Sequence, residues 1–278
     1  MENGAKGILD VASYIEKANH IYRSVYGKDL SYTFRGPALS GLVAYLAGIT
    51  KCNPLEHGFY SWAFFMNKRN VYFNINVSYN ACKLLSYYDM YLPKNLTLYI
   101  DDELSAMEDI YQGSDRTFCL PEYDLNIYDE TIAKYFANTK TDSEVVAFLG
   151  EQDKLPKSLS EFIKLNGFLH CKLNQKSHFD VIKEVVNSGA DVYTELISCP
   201  EDVYERLYFN GCDENEAKRI ARIVQKEGGK LNLRDKMILT EYGGEEFCNQ
   251  SEKIQHLYYR SHLFEKSCLS VAVWRQGA

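Results

Sequence analysis

The strand-like stretch Val71–Tyr79 carries two amide side chains at a spacing that metal-dependent chemistry uses for carboxylates. Apolar and polar residues alternate along it, so Asn74 and Asn76 lie on one face, about 7 Å apart along the backbone. Enzymes that transfer nucleotidyl groups hold two divalent cations between a pair of aspartates in this arrangement. An amide oxygen has no net charge and cannot offset two dications as carboxylates do. The spacing therefore predicts a nucleotidyl-transfer strand whose metal-binding acids have been replaced.

Two carboxylates follow the next predicted strand, Leu96–Ile100. Asp101 and Asp102 come directly after it, and carboxylates at a strand end can bind a hard cation. This is the one place where metal binding could have been rebuilt. The alternative is a solvated turn that starts the next helix, because acids are favoured in a first helical turn. The turn is the simpler interpretation of the two.

Small residues before a predicted helix form a second place where a ligand could bind. Arg35 and Gly36 precede Pro37, which is well placed to start the helix, and Ser40 and Gly41 follow it. Such a turn at a helix N-terminus can bind a phosphate group, because free amides and the helix dipole converge there. The alternative is tight packing of the helix start, and the spacing alone favours that alternative.

Composition and charge limit the classes of function. The chain has 278 residues, 46% hydrophobic and 25% charged, which is ordinary for a globular protein with one large domain or two small lobes. Its formal net charge is −7, and no run of Lys and Arg forms the basic footprint that duplex binders usually show. Strong duplex binding is therefore not expected.

Cysteine spacing and hydropathy indicate the compartment. The eight cysteines are spread singly without any Cys-x-x-Cys pair, so a zinc ribbon is not expected. The start of the chain is polar, and nothing approaches eighteen consecutive apolar residues. The sequence therefore predicts a cytoplasmic protein with free thiols and no membrane partner.

Hydrophobic periodicity predicts two helices in the first part of the chain. The first covers Ile8–Tyr26 and is ended by Gly27, a common C-terminal stop. The second covers Ala81–Leu92 and ends before a proline. The segment Ser105–Asp124 has weak periodicity, so we expect it to be a loop and a boundary.

The two parts of the chain differ in their predicted elements. Both predicted strands lie before residue 124. From Asp129 onward the pattern is helical: Thr141 and Ser158 open capping patterns, and Pro200-Glu201-Asp202 and Asp213–Glu216 are further helix starts. We therefore expect an α+β fold, with a small mixed sheet in residues 1–124 and a larger all-helical lobe in residues 125–278.

Four basic residues run along one predicted helix of the second lobe. They could form a nucleic-acid face, but three of them lie at i, i+4 and i+8, as on many solvated helix surfaces. The solvated surface is the favoured interpretation. The four residues are Lys218, Arg219, Arg222 and Lys226.

The stretch before the Asn74 strand resembles the active-site region of the bacterial DNA polymerase III alpha subunit, PolC type. In that family an Arg-Gly-Ser turn and a Gly-Ser pair bind the triphosphate, and an Asp-x-Asp strand follows. That strand falls on Asn74 and Asn76 of this chain. The segments that carry the resemblance are Arg35-Gly36, Ser40-Gly41, Leu42–Thr50 and Asn53–Leu55.

Two further departures from the family pattern affect the turn. Pro37 stands where the family has a hydroxyl, which removes a donor side chain and a backbone N–H. Leu39 stands where the family has glycine, which places a side chain where a phosphate would approach the backbone. Together with the two amides, these changes point to lost catalysis.

The resemblance continues in the helical half and covers roughly residues 8–82 and 129–275. Asn166–His170 resembles a fingers segment of the family, with His170 matching its histidine. Arg260 and His262 match a basic pair that lies near the incoming nucleotide or the template. The resemblance thus implies a palm-like lobe at 1–124 and a fingers-like lobe at 125–278.

The resemblance implies a catalytically defective polymerase-like protein that acts by binding, in the context of bacterial DNA replication. No cofactor is expected, although the active family uses Mg²⁺, and the partner would be a replication protein or nucleic acid. One alternative is residual binding of nucleotide or single-stranded DNA, and another is an active nucleotidyl transferase that uses Asp101 and Asp102. The binding candidates are Arg35, Gly36, Ser40, Gly41, His170, Arg260 and His262.

Overall fold

The computed structural model describes residues 2–64, 71–110, 143–174, 176–226 and 230–277, without the side chains of 2–5, 64, 107–110, 143 and 270–277. Over these residues the protein is an α+β chain, mostly helical with a small mixed sheet, as the sequence predicts. No described helix has both the length and the apolar character that crossing a bilayer requires.

The chain divides into two compact units. Unit 1 contains residues 1–124 together with 264–278, and unit 2 contains residues 125–263. The C-terminal residues 264–278 therefore group with the first part of the chain, whereas the sequence prediction places them in the second lobe.

Unit 1 is organised on a three-stranded mixed sheet. Strand β1 (Tyr32–Arg35) pairs antiparallel with the central strand β2 (Phe73–Val77), and β2 pairs parallel with β3 (Leu96–Ile100). The central strand is shorter than the predicted Val71–Tyr79, because Ser78 caps the next helix and accepts the Ala81 N–H.

Among the described residues of unit 1, five helices lie between residues 2 and 110, and the end of the chain adds one more. The predicted first helix starts earlier than Ile8 and ends at Gly27 as expected, where the backbone turns to φ +69°. The bounds are α1 Glu2–Tyr26, α2 Leu42–Leu46, α3 Ser61–Phe64, α4 Tyr79–Tyr87 and α5 Asp102–Ile110.

Three predictions in unit 1 are corrected. The helix predicted over Ala81–Leu92 instead covers Tyr79–Tyr87. The helix expected near Pro37 begins at Leu42, after a 3-10 turn over Ala38–Ser40. The predicted loop Ser105–Asp124 is wrong up to Ile110, because α5 continues through it; the remainder lies outside the described residues. Its weak periodicity concealed the helix, of which Leu104 is the buried anchor.

The core of unit 1 covers the apolar face of the sheet. Strand alternation directs Phe73, Ile75 and Val77 to that face, and each is at most 2% exposed. Further buried residues come from α1, the 3-10 turn, the segment after α2, and α5: Val11, Ala18, Tyr22, Leu39, Ile49 and Leu104.

The free edge of β1 is closed by a carboxyl group from the C-terminal helix. Glu265 is 2% exposed, and its Oε2 accepts the backbone N–H of Phe34 at 2.7 Å. Burial raises the pKa of Glu265 well above its usual range, and the Phe34 hydrogen bond lowers it only in part.

The described residues of unit 2 are helical except for one small sheet. Lys172–Leu173 (β4) pairs antiparallel with Ile254–Gln255 (β5), so the predicted all-helical lobe is corrected to a lobe with two short strands. The helices are α6 Ser143–Glu151, α7 Leu159–His170, α8 His178–Asn187, α9 Val192–Glu195, α10 Pro200–Phe209, α11 Glu214–Gln225, α12 Leu233–Gly243 and α13 Glu245–Lys253; α14, Arg260–Gly277, begins here and continues into unit 1.

Polar caps start several of these helices as the sequence predicts. Ser158 accepts the Glu161 N–H at the start of α7, and Asp213 accepts the Asn215 and Glu216 N–H groups at the start of α11. Thr141, which opens the capping pattern predicted for α6, lies outside the described residues.

Candidate functional site

The two amides of β2 share one face of the sheet with residues of both neighbouring strands. Across β1, Asn74 pairs with Arg35 and Asn76 with Thr33. Because directly paired residues point to the same side of a sheet, these side chains form one surface with two residues of β3. We call it the polar face; its residues are Thr33, Arg35, Asn74, Asn76, Thr97 and Tyr99.

Asn76 is the buried centre of the polar face. Its Nδ2 donates to Thr33 Oγ1 at 3.0 Å, and Asn76 and Thr33 are 6% and 3% exposed. Its Oδ1 is buried and accepts no hydrogen bond from the part of the chain that the structure describes. An unpaired buried acceptor lowers the free energy of unfolding by about 1–3 kcal/mol. Asn76 therefore has one satisfied and one unsatisfied polar atom in a buried position.

Arg35 and Tyr99 form the accessible side of the polar face. The guanidinium Cζ of Arg35 lies 4.5 Å from the centroid of the Tyr99 ring, a distance at which a cation is attracted to the ring face. Arg35 is exposed, Tyr99 is 37% exposed, and the neighbouring Asn74 is half-buried. The Arg35 guanidinium, the Tyr99 ring and the Asn74 amide are therefore accessible on the same surface.

Gly36 ends β1 in a conformation that a side chain would strain. Its φ is +89°, in the left-handed region that glycine tolerates without a steric cost. Of the two predicted candidates, Arg35 is the last residue of β1 and lies on the polar face, and Gly36 follows it in the turn.

The predicted phosphate-binding turn is closed. Ser40 is 1% exposed, and the amides of Ser40 and Gly41 donate to the carbonyls of Pro37 and Ala38 at 2.9 and 3.0 Å. The following helix α2 has only five residues, and a short helix has a weak dipole. Leu39, in the same turn, is 1% exposed, so its side chain packs in the core of unit 1.

Asp101 is used as a helix cap. Its Oδ1 accepts the N–H groups of Glu103 and Leu104 at 3.0 and 3.1 Å, and its own N–H donates to the carbonyl of Val77. Asp102 is exposed in the first turn of α5. The geometry supports the interpretation as a turn that starts a helix.

A pair of Mg²⁺ ions does not fit this set of side chains. The two strand positions offer neutral amides, of which Asn76 turns its Nδ2 to Thr33, and Asp101 is engaged by backbone donors. Over the described ranges no three or more His, Cys, Asp or Glu side chains are grouped so as to hold a metal ion. The residues present therefore support binding of an uncharged or anionic group better than a metal pair.

Arg260, predicted to bind nucleotide, is engaged in an ion-pair cluster inside unit 2. Its Nη1 and Nη2 each lie 2.6 Å from an oxygen of Glu205, and Nη2 lies 3.1 Å from Asp202 Oδ1. The charge is neutralised by these carboxylates, so the geometry does not favour a ligand role for Arg260.

The cluster around Arg260 continues to three more polar residues. Asp202 also pairs with Lys164 at 3.0 Å and accepts the Ser198 hydroxyl at 2.7 Å. The neighbouring Glu201 accepts the backbone N–H of Arg260 at 3.1 Å. Sequence reasoning marked these acids only as a helix start, because no local pattern shows that the first turn of α10 is buried.

The two histidine candidates lie in unit 2. His170 is exposed at the end of α7, and its Nδ1 is 2.8 Å from the Asn166 carbonyl oxygen. The half-buried His262 has its ring 5.2 Å from that of Tyr258. Each therefore has a local neighbour on its own helix or the turn before it.

Ion pairs support the solvated interpretation of the basic helix α11. Lys218 lies 2.7 Å from Glu214, and Arg219 lies 2.7 Å from Glu216 and 2.6 Å from the fully buried Asp235. These cations are compensated within the unit and do not form a free basic stripe.

Comparison with protein-family models and with curated proteins finds no match to this chain.

Proposed function

We propose that this protein is a catalytically defective, PolC-like polymerase relative that acts by binding rather than by nucleotidyl transfer. In this proposal unit 1 corresponds to a palm and unit 2 to fingers, and the setting is DNA replication. The proposal rests on the resemblance of residues 35–55 to the family and on the chemistry of the polar face.

The observation that carries the proposal is the pair Asn74 and Asn76 on the central strand. Phosphoryl transfer by two metals needs anionic ligands that hold both cations while the bond is exchanged. Asn76 provides an uncharged oxygen and bonds its amide hydrogen to Thr33. Asp101, the acid that directly follows the neighbouring strand β3, already accepts hydrogen bonds from the N–H groups of α5.

The accessible part of the polar face supports a binding role. Arg35, stacked on Tyr99, combines a positive charge with an aromatic surface, which is the combination that single strands and nucleotides use when they bind without base-specific contacts. The net charge of −7 favours a modest, salt-sensitive interaction or a protein partner from the replication machinery over tight duplex binding.

Primer extension with the purified full chain tests the loss of catalysis. We expect no template-directed synthesis with Mg²⁺ or Mn²⁺, either for the natural protein or for Asp101→Asn. Extension by the natural protein that disappears in Asp101→Asn or Asp102→Asn would replace the proposal with the active-transferase alternative.

Fluorescence anisotropy with a labelled primed DNA at low salt tests the binding surface. Arg35→Gln should weaken binding about tenfold, because one charged and stacked contact is removed. Arg234→Gln is the matched control, since this arginine is exposed and paired with Glu216 in unit 2. Absence of binding would remove the nucleic-acid version and leave a replication protein as the partner.

A further inference from the structure

Unit 1 contains a cavity that shares no residue with the polar face. It lies between helix α1 and the segment Met90–Asn95 that precedes β3, and its volume is about 570 Å³. Small-molecule sites commonly measure roughly 300–1,000 Å³, so the cavity has the size of a ligand site. The inference drawn from it is independent of the proposed function.

One face of α1 forms a wall of the cavity. Asp10, Tyr14 and Lys17 all line it, and their spacing of i, i+4 and i+7 places them on one side of the helix. The opposite wall includes Tyr91 and Lys94. Tyr91 is 78% exposed, so its ring is available to a bound molecule.

The cavity is locally positive in an acidic protein. Lys17 and Lys94 are both exposed, and neither makes an ion pair or hydrogen bond within the parts of the chain that are described. Asp10 is the single acid of the lining, so one net positive charge is left. Unpaired lysines at opposite walls of a cleft attract and hold an anion.

Tyr14 supplies a polar group whose hydroxyl has no protein partner among the described residues. It is 7% exposed and lines the cavity, and over the described residues its hydroxyl makes no hydrogen bond. Burial raises the pKa of Tyr14, with the nearby Cys82 adding to the effect, so the hydroxyl keeps its proton and can donate it in a hydrogen bond.

The floor of the cavity is held in place by Asn95. Its Nδ2 donates to the carbonyl oxygens of Gly7 and Val71 at 3.1 and 2.9 Å, which ties the segment before β3 to α1. A site whose walls are fixed before binding loses less entropy when a ligand enters.

We propose that this cavity binds a small organic anion, a carboxylate or phosphate monoester with an aromatic body. Lys17 and Lys94 contact the anionic group from opposite walls, the Tyr14 hydroxyl donates a hydrogen bond to it, and the Tyr91 ring packs against the aromatic body. Asp10 repels the anion and limits the affinity.

Calorimetric titration of the full chain with phenyl phosphate and with phenylacetate tests the proposal and distinguishes the two anionic groups. We expect saturable binding of at least one of them, and binding about tenfold weaker for inorganic phosphate and for benzyl alcohol, which each lack one half of the ligand. Lys17→Gln combined with Lys94→Gln should weaken binding of the phenyl anion about tenfold or more.

Three single variants sharpen the test. Tyr14→Phe removes one oxygen and should weaken binding about threefold to tenfold, the value of one hydrogen bond. Asp10→Asn should tighten it, because a repelling charge is removed. Lys83→Gln, an exposed lysine of α4 outside the cavity, is the matched control and should leave it unchanged.

Lack of saturable binding of both phenyl anions up to about 10 mM would overturn the proposal. Equal loss of affinity in the Lys83 control and the double lysine variant would also overturn it, because the attraction would then be a general effect of charge. Tyr14→Phe and Asp10→Asn keep the test decisive if the double variant does not fold, since unchanged affinity in both contradicts the proposed contacts.

Discussion

Glu201 and Asp202 are sequence neighbours in one buried cluster, yet their pKa values move in opposite directions. Burial raises the pKa of Asp202, but the charges of Lys164 and Arg260 and the hydrogen bonds from Ser198 lower it more, to below its usual range. Burial raises the pKa of Glu201 from 4.5 to about 7, because the charge and N–H of Arg260 offset only part of the desolvation.

The raised pKa of Glu201 predicts a pH-dependent stability. Between about pH 4.5 and 7 the folded chain keeps this proton and the unfolded chain does not, so the free energy of unfolding falls as pH rises through this window, by up to about 3 kcal/mol. Glu201→Gln cannot ionise but keeps an acceptor for the Arg260 N–H. We expect the variant to match the natural protein at pH 5 and to exceed its stability at pH 8.

Urea unfolding at pH 5 and pH 8 measures this difference for both proteins. Asp202 does not interfere, because its lowered pKa contributes stability that is lost only as the pH falls below the ordinary Asp range. Equal changes in unfolding free energy between the two pH values for Glu201→Gln and the natural protein would show that Glu201 ionises normally.

At the scale of the element, helix α7 depends on a glycine for its close approach to its neighbours. A Cβ at Gly167 would lie 2.6 Å from Leu263 Cδ1 and 2.8 Å from the carbonyl oxygen of Ser198. Backbone does not yield as a flexible side-chain tip does, so the contact with Ser198 decides the outcome.

Gly167→Ala should therefore lower the free energy of unfolding by about 1–3 kcal/mol, although alanine is the better helix former. Gly150→Ala in α6 is the matched control, because its Cβ would meet only Leu155 Cδ1 at 3.9 Å. That substitution should be neutral or raise the stability by up to about 1 kcal/mol. Chemical unfolding measures both, and equal effects at the two glycines would contradict the packing argument.

Sequence patterns predicted the elements whose residues alternate or repeat strongly. The alternation of β2 and the three-to-four spacing of α1 are local properties, and both elements are present with shifted ends. The start of α2 could not be predicted in the same way. Ala38–Ser40 form a separate turn whose residues are buried, and burial depends on tertiary contacts.

The sequence predicted which strand residues of the candidate site share a face, but not which distant residues contact them. Residue alternation places Asn74 and Asn76 on one face, whereas the stacking of Arg35 on Tyr99 depends on strand register between distant segments. The engagement of Arg260 by Glu205 joins residues 55 positions apart, and no local pattern in the sequence indicates it.

At the scale of the whole molecule, the thiols are distributed over both units and are mostly buried. All seven cysteines in the described residues are free, and six of them are buried. Burial, with Glu265 and Glu56 adding to it, raises the pKa of Cys52 in unit 1 to about 12, and burial raises that of Cys171 in unit 2 to about 12, slightly offset by a backbone hydrogen bond.

These pKa values predict low thiol reactivity in the folded chain. Only the thiolate attacks an alkylating agent, so Cys52 and Cys171 should react with iodoacetamide at pH 8 at least about tenfold more slowly than the half-buried Cys82. Peptide mass spectrometry over time measures the three rates. In urea the rates should converge, and similar rates for all three in the native protein would contradict the prediction.

The hydrogen bond between Glu265 and Phe34 joins residues 231 positions apart in the sequence, and both belong to unit 1. A gene fragment that stops after codon 124 would encode every strand of the larger sheet and still omit the acceptor for its outer edge. The bare strand edge would then be open to pairing with another copy. A gene for unit 1 alone should therefore join the codons of residues 264–278 to those of residues 1–124.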